Sequence, residues 1–234
     1  MTTNPNDAGI ESRTAHAQEV YTPEVLGIYD KLVIGAFCRF VWRCPAPVMR
    51  RLYNASVGAR HLDVGPGTGY FLDKCRFPVP DPELTLLDLS AECLAASAER
   101  VARYQPELCQ ANLFDPLPLP ARHFDSVGMN LVFHTIPGGW DHKGVIFKHV
   151  SQVLKPGGTL FGTTVLAEGV PMNRLTRHLL LAQHERGNFQ NQGDDPAGLE
   201  RQLAAHFPAY RLRVKGIVAI FEATAGKVEP GGSD

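Results

Sequence analysis

The chain has 234 residues, 44% of them hydrophobic and 20% charged, and a formal net charge of −1. At roughly 150 residues per domain this is one full domain with a remainder. Ordinary hydrophobicity and near-zero charge exclude a disordered chain and argue against a nucleic-acid partner, which usually requires a basic stripe. Five cysteines (Cys38, Cys44, Cys75, Cys93, Cys109) are an odd number with no C-x-x-C spacing, so neither a disulfide framework nor a zinc knuckle is expected. Buried free thiols in a reducing cytoplasm are expected instead. Residues 1–20 lack the apolar core of a signal peptide. The best membrane candidate, Leu32–Cys38, falls far short of the roughly 20 residues a span needs and reads as a core helix segment.

Residues 1–20 read as a mobile tail. Thr22-Pro23-Glu24 is a helix start, with a hydroxyl cap, proline in the first turn and an acid near the positive end. Apolar residues then recur at helical spacing from Val25 to Phe40, until Cys44-Pro45-Ala46-Pro47 breaks the pattern. A short helix over 47–56 follows. From residue 60 the pattern alternates. Strands are expected at His61–Val64, Leu84–Leu87, Leu108–Asn112, Phe124–Leu131 and Thr159–Leu166. Helices are expected after the first strand, after a Ser90 cap, and from an Asp141 cap to Lys155-Pro156-Gly157-Gly158. Such alternation means a parallel sheet covered on both faces. The end departs from it. After helices near 171–186 and 196–206, Tyr210–Lys215 and Ile217–Thr224 are joined only at Gly216, too short a link for a parallel crossover. One antiparallel strand is therefore added.

The most informative stretch is Asp63-Val64-Gly65-Pro66-Gly67-Thr68-Gly69, between a strand and a helix. Alternating glycines let a ligand approach the backbone where a Cβ would clash, and the next helix offers its first N–H groups. Asp88 closes the second strand roughly 20 residues on, where a carboxylate accepts both hydroxyls of a ribose. A dinucleotide fingerprint would need glycine where Tyr70 stands, and no G-K-[ST] follows for a phosphate loop. The spacing is acid-x-G-x-G-x-G.

With these motifs the chain resembles the class I S-adenosylmethionine-dependent methyltransferases over about residues 20–224. The resemblance implies a Rossmann-like α/β fold: a seven-stranded, mostly parallel sheet with an antiparallel last strand, helices on both faces and an N-terminal helical lid over residues 21–58. It implies S-adenosyl-L-methionine as cofactor. HLDVGPGTGYFL is similar to the first motif, with Asp63 its acid and Gly65, Gly67 and Gly69 its loop. In LTLLDLS, Asp88 would hold the ribose and Leu89 pack on the adenine. In CQANLF, Asn112 stands where the family often has an acid for the adenine amino group, and Leu113 follows it. FDSVGMNLVFHTIP is similar to the fourth motif, with Asn130 facing the cofactor's amino-acid end. The resemblance makes the N-terminal helices a cover for the methyl group, with Tyr21, Tyr29 and Trp42 as available aromatics and Tyr21 assigned to the cofactor.

Methyl transfer is an in-line displacement that needs alignment of the acceptor and a base only if the acceptor must lose a proton. His134, just past the fourth strand, is the candidate base, the alternative being a pocket-lining residue. No [DN]-P-P-[YFW] motif of base- or glutamine-methylating relatives follows that strand, and Asn130 with His134 is a poor magnesium set. His142 and His149 read as a solvated helix face. Met172, Leu179, Leu180 and Phe189 within 168–208 read as acceptor wall or core. The reading is a core over 59–225 and a tail over 226–234, with no metal. It is expected to methylate a small organic acceptor at O, N or C in the cytoplasm, as monomer or homodimer, without membrane or nucleic acid. An RNA or protein methyltransferase and a non-catalytic cofactor-binding protein remain the alternatives.

Overall fold

The computed structural model describes residues 30–226. Tyr21, Tyr29, the helix start at Thr22 and both tails lie outside them, except residue 226 itself.

Seven strands form one sheet: β1 (Arg60–Val64), β2 (Glu83–Asp88), β3 (Glu107–Gln110), β4 (Phe124–Asn130), β5 (Leu154–Val165), β6 (Ala209–Lys215) and β7 (Val218–Thr224). Their order is β3-β2-β1-β4-β5-β7-β6. Neighbours from β3 to β5 run parallel, while β7 is antiparallel to both β5 and β6. The sheet is therefore parallel apart from β7, and the β6–β7 hairpin turns at Gly216, whose φ is +64°. The order reverses between β1 and β4, so a crevice opens beyond their carboxyl ends, where ligands of such sheets bind.

Strand alternation divides the core in two. Leu62, Val64, Val127, Met129, Leu160 and Phe221 face α5 (Trp140–Val153) and α7 (Pro196–His206). Leu84, Leu86, Phe161, Val165 and Ile220 face the N-terminal helices α1 (Asp30–Val41) and α2 (Ala46–Ser56), α3 (Tyr70–Lys74) and α4 (Ala91–Arg100), with Leu180 of α6 (Arg174–Glu185). Strands buried on both faces read as continuous apolar runs, as here.

Local expectations met different fates. Ser90 caps α4 by accepting the Cys93 N–H. Asp141 does not cap α5: Gly139 occupies that position and Asp141 lies in the first turn without a cap bond. β3 ends at Gln110, two residues before the expected Asn112. β5 begins at Leu154, just ahead of the expected Lys155–Gly158 turn, because Leu154 pairs with Phe124 before an irregularity in the ladder. α1 is wound as a π-helix, and Trp42 N–H continues its wide spacing onto Phe37 C=O at 2.9 Å. Its end is anchored at two points: Trp42 C=O accepts from Ile217 N–H and Val41 C=O from Thr176 Oγ. All five cysteines are free, and all but the half-buried Cys109 are buried. No helix among the described residues is long and apolar enough to cross a membrane.

Candidate active site

The loop after β1 carries three glycines at positive φ: Gly65 at +63°, Gly67 at +54° and Gly69 at +70°. Side chains rarely adopt that region, so the sequence pattern is a backbone requirement. A Cβ on Gly65 would lie 2.7 Å from Val132 Cγ2, whereas one on Gly67 would meet nothing within 4 Å. Gly65 thus lets the loops after β1 and β4 touch, and Gly67 presents bare backbone to open space. α3 beyond the loop is only five residues long. The cradle is therefore made by the glycine backbone far more than by a helix dipole, which needs several aligned turns.

The loop is held from behind. Arg100 Nη1 donates to Thr68 O and Oγ1 at 3.0 and 2.9 Å. Asp63, grouped by sequence with the cofactor residues, is 1% exposed. Its Oδ2 accepts the Tyr53 hydroxyl at 2.9 Å and lies 3.2 Å from His61 Nε2. His61 Nδ1 reaches Ser126 Oγ at 2.8 Å, and Ser126 Oγ also accepts the Gly58 N–H. With Ser126 donating to Nδ1, Nε2–H is left to donate to Asp63, and every group in the chain is satisfied. Gly128 makes room for it, since a Cβ there would sit 3.0 Å from Asp63 Oδ2. Tyr53, His61 and Ser126 were not singled out by sequence.

The remaining residues fall on the same rim. Asp88 ends β2, its Oδ1 accepting Ser90 N–H at 2.9 Å. Burial pushes its carboxyl up to about 6, against the N–H groups of Ser90 and Leu89. Leu89 is half-buried, its carbonyl held by Gln110 Nε2. Asn112 Oδ1 accepts the Phe114 N–H at 3.1 Å and keeps a second lone pair for another donor. Leu113 C=O meets His149 Nδ1 at 3.0 Å. Asn130 is buried and accepts the Thr163 hydroxyl at 2.6 Å, and Leu131 beyond it is held at φ +60°. His142 and His149 do not form a solvated face: His149 is buried on Leu113, and the exposed His142 packs on the Phe114 ring at 4.4 Å.

His134 lies in a single 3-10 turn after β4, 5% exposed. Its ring meets Phe189 edge-on at 4.3 Å, and its Nδ1 is buried with no partner among the described residues. Burial, aided by the Lys143 charge, pulls its imidazole down to about 3, so it is neutral near pH 7. Trp42 packs between Phe37 and Phe189, which makes it part of the core. Leu180 is likewise core, while Met172, Leu179 and Phe189 are half-buried. Among the described residues no group of three or more His, Cys, Asp or Glu is placed to hold a metal ion.

The glycine loop after β1, Asp88 at the end of β2, Asn112 just past β3 and Asn130 at the end of β4 lie together at the carboxyl ends of neighbouring strands. A family model described as a methyltransferase domain matches residues 62–160. Demethylluteothin O-methyltransferase of Streptomyces thioluteus is 41% identical over 214 residues, covering 92% of this chain and 93% of its own. The physcion biosynthesis cluster O-methyltransferase of Aspergillus chevalieri is 35% identical over 214 residues, covering 89% and 95%. A DhpI–SAH complex superposes with a TM-score of 0.64 at 19% identity, covering 94% of this chain and 98% of that one. The chain belongs to the class I S-adenosylmethionine-dependent methyltransferases, in their small-molecule branch. It is an enzyme, its cofactor is S-adenosyl-L-methionine, and the antiparallel strand read from the Gly216 spacing is the one found.

Proposed function

We propose that this enzyme transfers the methyl group to a hydroxyl of a small organic acceptor, with His134 receiving the hydroxyl's proton or hydrogen bond. The single observation that carries this is the orphaned Nδ1 of His134 at the carboxyl end of β4, beneath an apolar cover of Phe189. An unpartnered buried nitrogen costs about 1–3 kcal/mol, an arrangement that makes sense where a ligand supplies the partner. The names of the Streptomyces thioluteus and Aspergillus chevalieri relatives, both O-methyltransferases, support oxygen as the methylated atom.

When bound, the cofactor supplies an electrophilic methyl on a sulfonium. The residues of this chain bind and orient around it. Gly65, Gly67 and Gly69 let its amino-acid end lie on the backbone, Asn130 hydrogen-bonds that end, and Asp88 accepts the ribose hydroxyls. Leu89 and Leu113 pack on the adenine and Asn112 receives its amino group. Tyr21 and the segment 21–58 are assigned to the cofactor's methyl end on the family resemblance, Tyr21 itself lying outside the described residues. Asp63 acts from behind the loop, holding β1 in place through Tyr53 and His61. The segment 168–208 walls the acceptor. We further assign action in the cytoplasm as a monomer or homodimer, with no nucleic-acid partner.

The test is a radiolabelled methyl-transfer assay with the purified enzyme against small-molecule extracts and RNA and protein fractions. Label in a base-stable methyl ether from the small-molecule fraction supports the proposal. Label only in RNA or protein, or only on nitrogen or carbon, refutes it.

A further inference from the structure

Among the described residues, two buried side-chain atoms lack a partner: His134 Nδ1 and Asp194 Oδ1. They belong to one corner. Lys143 of α5 and Asp194 are both 0% exposed, and Lys143 Nζ donates to Asp194 Oδ2 at 2.7 Å. The same ammonium acts electrostatically on His134. Burial raises the Asp194 carboxyl and lowers the Lys143 ammonium, and their mutual attraction opposes both effects.

The pair fastens the segment 187–195 across the carboxyl ends of β4 and β5. That segment is already tied by neutral bonds. Gln190 N–H donates to His134 C=O at 2.8 Å, Asn191 Nδ2 to Val165 C=O at 2.7 Å, and Trp140 Nε1 to Asp195 C=O at 3.0 Å. Asp194 C=O accepts from Ala167 and Glu168 N–H. Phe189 lies between these ties, its ring on His134 and on Trp42. A fully buried ion pair adds little net stability over an apolar pair of similar size, because desolvation offsets the attraction. Stability alone therefore gives no reason for a charge pair here, whereas fixing one arrangement of charged groups does.

We propose that Lys143 and Asp194 are a positioning pair for methyl transfer: they lock the 187–195 segment over His134 and fix the orientation in which its ring meets the acceptor. This rests on His134 being the group that meets the acceptor. Around that ring, Lys143 comes from α5, while Asp194 and the uncharged Phe189 come from the covering segment.

The test is the double variant Lys143→Met/Asp194→Leu, followed by kinetics and by NMR titration of the His134 imidazole in the full-length enzyme. Folding is expected to persist, since an apolar pair replaces a neutral ion pair. Cofactor affinity should be unchanged and kcat should fall by on the order of ten- to hundredfold. The His134 midpoint should move upward because the Lys143 charge has gone. Wild-type kcat together with an unmoved His134 titration overturns the proposal. Should the double variant fail to fold, Asp194→Asn keeps the shape and leaves Lys143 uncompensated. A lower kcat with unchanged cofactor affinity supports the proposal, and wild-type kcat overturns it. If His134→Gln alone leaves kcat intact, it is the reading of His134 as the acceptor-facing group that fails, and the imidazole titration still decides the role of the pair.

Discussion

Tyr53 of α2 donates its hydroxyl to Asp63 of β1 at 2.9 Å, with both side chains buried. The strand that launches the glycine loop is thereby tied to a helix from the N-terminal segment. Stacking of Tyr53 on Phe71 at 5.5 Å and its edge contact with Phe161 at 5.0 Å fix the ring that makes the bond.

Tyr53→Phe should therefore lower stability by about 1–3 kcal/mol, because it leaves a buried carboxylate short of a donor. Urea denaturation measures this. Cofactor affinity should fall too, because the strand ahead of the loop loses its tie. A variant as stable as wild type would show that Asp63 is satisfied without Tyr53.

Gly67→Ala should separate folding from binding. The added methyl meets no neighbouring atom, so the cost of folding is confined to the left-handed backbone, about 1–2 kcal/mol. Cofactor affinity should fall far more, since the methyl occupies the cradle. Gly65→Ala should instead unsettle the fold through Val132. Thermal melts with and without S-adenosylhomocysteine distinguish the two.

Cofactor binding should weaken in acid. Burial holds the Asp88 carboxyl up at about 6, and in its proposed role the ribose hydroxyls bind the ionised form. Affinity should be constant above pH 7 and fall as pH drops through 6, approaching tenfold per unit. In Asp88→Asn this dependence should vanish, and calorimetry at several pH values reads both.

Stability should also carry the signature of His134. Its folded pKa lies near 3, below the unfolded value of about 6.5, so its contribution is full above 6.5 and is lost as pH falls toward 3. Asp88 acts oppositely: its raised pKa makes its contribution full below about 3.8 and lost as pH rises through 6. The difference between wild type and His134→Gln isolates the histidine, and wild type should lose up to about 1.4 kcal/mol more per pH unit between 6 and 4. Parallel curves would mean that His134 is solvated.

Much of this architecture was legible because it follows from short-range rules. Alternating strands and helices dictated the parallel sheet, and the one-residue link at Gly216 dictated the hairpin. The glycine spacing marked the loop after β1, whose three glycines all take positive φ in the structure. What stayed illegible depended on distant partners. Nothing in the local sequence marks Lys143, whose partner Asp194 lies 51 residues on. His149 reads as solvated until Leu113 C=O meets it. Asp63 looks like a ligand-facing acid until Tyr53 and His61 take its carboxylate. The π winding of α1 has no signature in apolar spacing, which distinguishes periods near 3.6 from 2 but not four-residue from five-residue hydrogen bonding.

We propose that the rim formed by the β1 loop and the end of β2 binds the methyl donor, with Asp88 on its ribose. Calorimetric titration of the full-length enzyme and of Asp88→Ala with S-adenosylhomocysteine tests it most directly. The wild type should bind one-to-one and the variant at least about tenfold more weakly, since two hydroxyl bonds to a charged group are lost. No binding by the wild type, or equal affinity in a folded Asp88→Ala, would contradict it.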